Sequence, residues 1–244
     1  MRKIRINRLV NLTAILIIFL TFESGCTYGF GSIKGNGNVI KQERELSSFS
    51  GLDIGGAFKV FLAQGDREFV IVEADENLLE VISTEIRGGT LVIKTTEDIR
   101  DSEALNIYLT FKNLEEMDIS GACKLISEGK LKFGDLEMEF SGASDIDLKF
   151  SANTVELDCS GASQIEFYGS AESVELDLSG ASHFDAFDFE VNSFEVDVSG
   201  ASHAKVFATK ELSAEVSGAA SVKYKGDPNI TNFDVSGAAS LKKY

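Results

Sequence analysis

The sequence predicts an all-β protein, a single-stranded parallel β-helix with coils of about 19 residues and an irregular N-terminal capping portion. Three observations carry this prediction. The triplet Ser-Gly-Ala recurs seven times, at Ser120, Ser141, Ser160, Ser179, Ser199, Ser217 and Ser236, with intervals of 21, 19, 19, 20, 18 and 19 residues. A two-residue alternation surrounds every copy. One and three residues before the serines, all fourteen side chains are apolar, from Met117 and Ile119 to Phe233 and Val235. Two before them, all seven are acidic: Asp118, Glu139, Asp158, Asp177, Asp197, Glu215 and Asp234. Such alternation describes strands with one buried and one wetted face. Finally, no 3.6-residue period runs through this region.

A unit this short cannot bury a core of its own, but stacked units can. Parallel stacking sets each strand beside its equivalent one coil on, about 4.8 Å away, so the repeats make a rod of roughly 30 Å. The rival all-β arrangements are a propeller and an antiparallel sandwich. Propeller blades need about 40 residues or more, which the short period does not supply. The general preference of parallel crossovers favours a right-handed coil.

The elements follow in chain order. Residues 1–25 read as a lipoprotein-type signal peptide. Arg2, Lys3, Arg5 and Arg8 give a basic start, and residues 9–22 are an apolar stretch too short for a membrane span. Glu23-Ser24-Gly25-Cys26 resembles a bacterial lipobox, with Glu23 where an aliphatic residue is usual. Cys26 is then the lipidation site, tying the chain to an envelope membrane, expected to be the outer one. Loss of the leader removes four basic residues and one acidic residue and moves the net charge from -16 to -19.

Residues 26–38 read as a Gly-rich tether, and 39–115 as an N-terminal β portion. Within it, strands at 58–64 and 68–74 are joined around Gly65-Asp66. Residues 75–82 suit a single helical turn opened by Asp75 as cap. Residues 84–87 and 90–95 form a hairpin across Gly88-Gly89, and 104–111 is a further strand. Gly55-Gly56-Ala57 reads as a degenerate early copy of the triplet. Residues 116–244 are the Ser-Gly-Ala repeat, continuous with the portion before it. In each copy the glycine fits a corner, and the small residues after it fit inside that corner.

The run GNGNVIKQERELSSFSGLDIGGAFKVFLAQGD, then VEADENLLEVISTEI, then GGTLVIKT, followed by the Ser-Gly-Ala ladder, resembles the auto-transporter adhesin head GIN domain family, common in Bacteroidetes. The resemblance spans residues 35–243. It implies an exported, often lipid-anchored β-helical protein of the cell envelope, and it carries over no catalytic residue.

Composition narrows the function classes. With 39 acidic against 23 basic residues, the chain is a poor partner for a polyanion, so no nucleic acid is expected. Two histidines leave little room for a histidine-rich metal site. The acidic column Asp118, Glu139, Asp158, Asp177, Asp197, Glu215 and Asp234 would stack carboxylates one strand apart, an oxygen array that suits Ca²⁺. The plainer reading is a solvated face that keeps a β-rod from associating sideways. His183 and His203 share a register behind Gln164, but two imidazoles make a weak transition-metal site. The repeated serines suit a corner role, since a nucleophile needs a base and an orienting group at one of them.

Many β-helices act on polysaccharides, so an enzyme of that kind is the alternative class. Against it, the later coils stay regular, no arginine follows Arg100, and the chain has no tryptophan. Phe167, Tyr168, Phe187 and Phe207 are the candidate stacking residues, and Lys205, Lys223 and Lys242 the candidate basic column. Cys123 and Cys159 fall two coils apart at different points of the perimeter. A bridge needs Cα atoms within about 7 Å, so both are expected to be free, buried thiols. The expected function is a non-catalytic adhesin or scaffold with a glycan or protein ligand. Self-assembly into a homo-oligomer is a further alternative, because the last coil reaches Tyr244 without an evident cap.

Overall fold

A computed structural model describes residues 32–244; the segment 1–25 read as a signal peptide, the expected lipidation site Cys26 and the expected tether up to residue 31 lie outside the described residues. The parallel stack is as expected. Strands leading into the triplets form one face of the coil. Gly51–Gly56 pairs with Glu116–Gly121, which pairs with Asp135–Gly142. The later halves of Asp145–Gly161, Gln164–Gly180, His183–Val198 and His203–Val216 follow, and then Asn229–Val235. Strands leaving the triplets form a second face, running from Lys59–Gln64 and Lys124–Ser127 through the earlier halves of the long strands to Ser221–Lys225 and Ser240–Lys243.

Register explains the alternation. Met117, Met138, Leu157, Leu176, Val196 and Ala214 stack inside as one buried column. Phenylalanines fill the space between the faces: Phe150 lies 5.0 Å from Phe167 and 4.6 Å from Phe189, centroid to centroid. Phe167 is therefore a core residue, buried with the aliphatic columns.

The triplet corner has two physical requirements. Gly161 has φ 128, and a Cβ there would collide with the carbonyl oxygen of Gly142 one coil below. Only glycine meets both the backbone angle and the close approach. Just inside the corner, buried serines replace apolar side chains. The Ser163 hydroxyl accepts the N–H of Ser144 at 3.1 Å, and the Ser182 hydroxyl accepts that of Ser163 at 3.1 Å. These rungs satisfy amide groups that the corner withdraws from water. Cys123 occupies the equivalent position in the first triplet coil, and both Cys123 and Cys159 are free and buried, as expected.

The N-terminal portion departs from simple sequence order. Thr90–Thr95 pairs with Gly51–Gly56, and Leu105–Phe111 pairs with Lys59–Gln64. The coil made second in the chain thus lies beneath the first, and Glu116 resumes on the opposite side. Strands 59–64 and 69–75 are joined through Gly65-Asp66 but do not pair; Leu105–Phe111 runs between them. Antiparallel strands close this end. Ile82–Arg87 covers Thr90–Thr95 through the expected hairpin, Phe69–Asp75 covers Leu105–Phe111, and Val39–Glu45 covers Phe69–Asp75.

Two expectations are corrected here. The helical turn is shorter, a single 3-10 turn at Glu76–Leu78, and the Asp75 side chain does not cap it. Instead the buried Asp75 carboxylate accepts the N–H of Gly37 at 2.6 Å and of Glu103 at 2.9 Å. Residues 33–38, read as tether, are accordingly docked: Ile33–Lys34 pairs with Ile99–Asp101, and Asn77 donates to the carbonyl of Lys34. Folded structure begins earlier than residue 39.

Candidate functional site

The outer side of the first face carries the acidic column. Asp118, Glu139, Asp158, Asp177, Asp197, Glu215 and Asp234 stand in register on successive coils. Asp53 precedes them, opposite Asp118. Counting from Ser-Gly-Ala missed it because Gly55 stands where the serine would be. Aligning Gly55-Gly56-Ala57 with the triplets would have found it. Glu116, Glu137, Glu156, Glu175 and Glu195 form a second column alongside.

Like charges one strand spacing apart, about 4.8 Å, repel. Burial, and then the charges of Asp53, Glu139 and Glu116, push the Asp118 carboxyl above the usual range. Burial, and then Asp158 and Asp197, do the same to Asp177. Calcium takes about six to eight oxygens around one point. A single file of carboxylates spreads its oxygens along a line, and among the described residues no three His, Cys, Asp or Glu side chains converge to hold a metal ion.

The second face is mixed in charge. His183 and His203 stack with centroids 4.9 Å apart and planes 10° from parallel, and Gln164 precedes them in register. Lys205, Lys223 and Lys242 share a column, with Lys205 paired to Asp185 at 2.6 Å. Tyr168, Phe187 and Phe207 are half-buried at the surface. Tyr168 donates its hydroxyl to Glu166 at 2.8 Å, which pushes its pKa up to about 12 and keeps it a neutral donor. The triplet serines lie at the corner, where Ser120 and Ser179 donate to the carbonyls of Ile54 and Cys159 on the coil below.

The ladder is broken at one place that the sequence analysis did not identify as a site. The first interval between triplets is 21 residues, and the strand after the triplet is interrupted between Lys124–Ser127 and Leu131–Lys132. Next to it, residues 112–115 cross from the cap to the following coil. A groove of about 860 Å³ opens there, with Glu115, Glu137, Glu156 and Glu175 in its walls. A second hollow of about 690 Å³ holds Lys112, Lys130 and Lys132, and shares Asn113, Lys132 and Phe133 with the first. Gln64 fixes the lysine end. Its amide nitrogen donates to the carbonyls of Lys112 and Lys132, each at 2.9 Å, and its oxygen accepts the N–H of Lys132 at 2.9 Å. The long first interval was the available signal.

The sequence profile of the family described as "Putative auto-transporter adhesin, head GIN domain" matches residues 48–228. The chain belongs to this family. The match is narrower than the resemblance at 35–243 and leaves Val39–Glu45 and most of the last coil outside it. Solved structures share this head GIN fold. One from Bacteroides fragilis, described as a putative adhesin, has a TM-score of 0.80 at 19% identity, covering 87% of this chain and 100% of its own. One from Parabacteroides distasonis, described as a putative lipid binding protein, has a TM-score of 0.70 at 21% identity, covering 87% and 99%. A putative adhesin from Parabacteroides merdae has a TM-score of 0.64 at 17% identity, covering 88% and 99%. Among curated proteins none matches the chain.

Proposed function

We propose that this chain is a non-catalytic adhesion or scaffolding module of the cell envelope, held on the outer membrane by lipid at Cys26. The observation that carries this reading is the in-register repetition of outward side chains. One face offers a carboxylate at the same position on eight successive strands. A surface made by translating one motif suits many weak contacts that add by multivalency. Catalysis instead needs unlike groups brought to one point. Membership of an adhesin-like family supports a surface or envelope role. Five residues lie between Cys26 and the first described residue, Ser32, so a lipid at Cys26 would hold the domain within roughly 20 Å of the bilayer.

Two measurements test this. Fatty-acid labelling and protease shaving of intact cells should show a labelled, shaved protein that the Cys26→Ala variant leaves unlabelled and released. Protection until the outer membrane is permeabilised would place it in the periplasm. Glycan and protein arrays run beside a turnover assay should show binding without product; product formation would establish the polysaccharide-acting alternative.

A second reading, self-association, is favoured by one feature. Among the described residues Asn229–Val235 is paired on one side only, and Phe233 there is 53% exposed. Light scattering of the mature domain at high concentration would remove this reading if it reported only monomer.

A further inference from the structure

We infer that the groove at the junction of cap and coil binds a short, extended peptide that carries basic side chains and a free C-terminal carboxylate. The groove is sorted by charge. Lys112, Lys130 and Lys132 line one end, and Glu115, Glu137, Glu156 and Glu175 line the other. Among the described residues, neither Lys130 nor Lys132, nor any of those four glutamates, has an opposite charge within salt-bridge distance. Lys112 is paired with Glu68 at 3.8 Å, and Asp66 also lines the lysine end, so the charges without a partner are Lys130 and Lys132 at one end and the four glutamates at the other, with shared walls at Asn113, Lys132 and Phe133.

On the second face Lys124 and Lys205 pair with Asp145 and Asp185, while Lys223 and Lys242 in the Lys205 column have no such partner and no acidic wall beside them of the kind that Glu137, Glu156 and Glu175 form. Complementarity then fixes the polarity of a ligand: anion at the lysines, cations along the glutamates. Glu137, Glu156 and Glu175 are in register on successive coils, and Glu115 lies one coil earlier, where its carbonyl accepts the N–H of Glu137. The acidic wall thus extends over three strand spacings, about 14 Å, close to the length of an extended tetrapeptide at about 3.3 Å per residue. Gln64 holds the backbones of Lys112 and Lys132 together, so the anion end is set before the ligand arrives.

The inference rests on reading the chain as a binding module. The test is calorimetric titration of the mature domain with N-acetylated tetralysine, as free acid and as C-terminal amide, with tetraglutamate and an oligogalacturonate as further arms. A purely acidic surface would prefer the amide, which has one negative charge fewer. The groove predicts the reverse, with the free acid tighter by about threefold or more. The Lys130→Ala/Lys132→Ala variant should erase that preference, so that the free acid no longer binds more tightly than the amide. The Glu137→Gln/Glu156→Gln variant should weaken both peptides, with melting at or above that of the wild type confirming the fold. Equal or weaker binding of the free acid, a preference that survives the lysine variant, or tighter binding of tetraglutamate or the oligogalacturonate would overturn the inference. Peptide binding by a domain that supports no adhesion when displayed on cells would fault only the adhesion reading. Adhesion without the free-acid preference would fault only the groove.

Discussion

At the scale of single residues, two positions carry more than their size suggests. Gly161 holds a corner whose backbone angle and packing both exclude a side chain. Gly161→Ala should lower unfolding free energy by at least about 1–3 kcal/mol, read from a denaturant midpoint. Gly134→Ala is the control, since a Cβ there meets nothing within 4 Å, and its midpoint should shift little. Asp75 is the second position. Burial alone would raise its carboxyl, but the N–H groups of Gly37, Glu103 and Ala104 together outweigh burial and hold it below the usual range. A depressed folded pKa stabilises at neutral pH, and that contribution fades as the pH falls below about 4 through the folded value. Asp75→Asn should therefore cost about 1–3 kcal/mol near pH 7, with the gap to wild type closing in acid. Parallel denaturation series across pH check this. The sequence marked Asp75 for the wrong task. A cap position was legible from local pattern, whereas Gly37 and Glu103 reach it only through long-range folding.

At the scale of elements, the acidic face sets its own electrostatics. Asp177 lies between Asp158 and Asp197 with a raised carboxyl pKa. A raised folded pKa costs stability above it, and the cost is relieved as pH falls through it. Asp177→Asn should thus melt higher than wild type at neutral pH by about 1 °C or more, and lose that advantage below about pH 4. Line geometry also predicts screening in place of chelation. Sodium and calcium chlorides at matched ionic strength should raise the melting temperature equally; a distinctly larger calcium shift would mark specific Ca²⁺ binding along the column. This face was legible in the amino-acid pattern alone, because alternation fixes which residues point outward and a fixed period fixes which ones align. Asp53 escaped because its triplet is degenerate. The groove escaped because it arises where the period fails, and an interruption in a pattern does not say what fills it.

At the scale of the whole described domain, stacking order is the feature that sequence could not show. Strand-forming pattern located Thr90–Thr95 and Leu105–Phe111, but nothing local says that they lie beneath a coil made earlier. That arrangement pairs Gly51–Gly56 on both edges, to Thr90–Thr95 and to Glu116–Gly121. Hydrogen exchange should accordingly be slow at Gly51–Gly56, as at the later strands paired on both edges, and fast at Asn229–Val235, which is paired on one side. Uniform protection along the stack would contradict this. The repeat region was largely readable because it is one rule applied again; the cap was not, because its strands reverse direction and order.

The docked N-terminal segment has a mechanical consequence. Any pull transmitted along the chain from its N-terminal side meets Ile33–Lys34 and the Asp75 clasp first, and then Val39–Glu45 lying antiparallel on Phe69–Asp75. Val39 is bonded opposite Asp75, beside the clasp, so tension reaches the strand at its most tethered end. The clasp would act as a fuse: it yields before the coils do, paying out N-terminal chain while leaving the stacked coils intact.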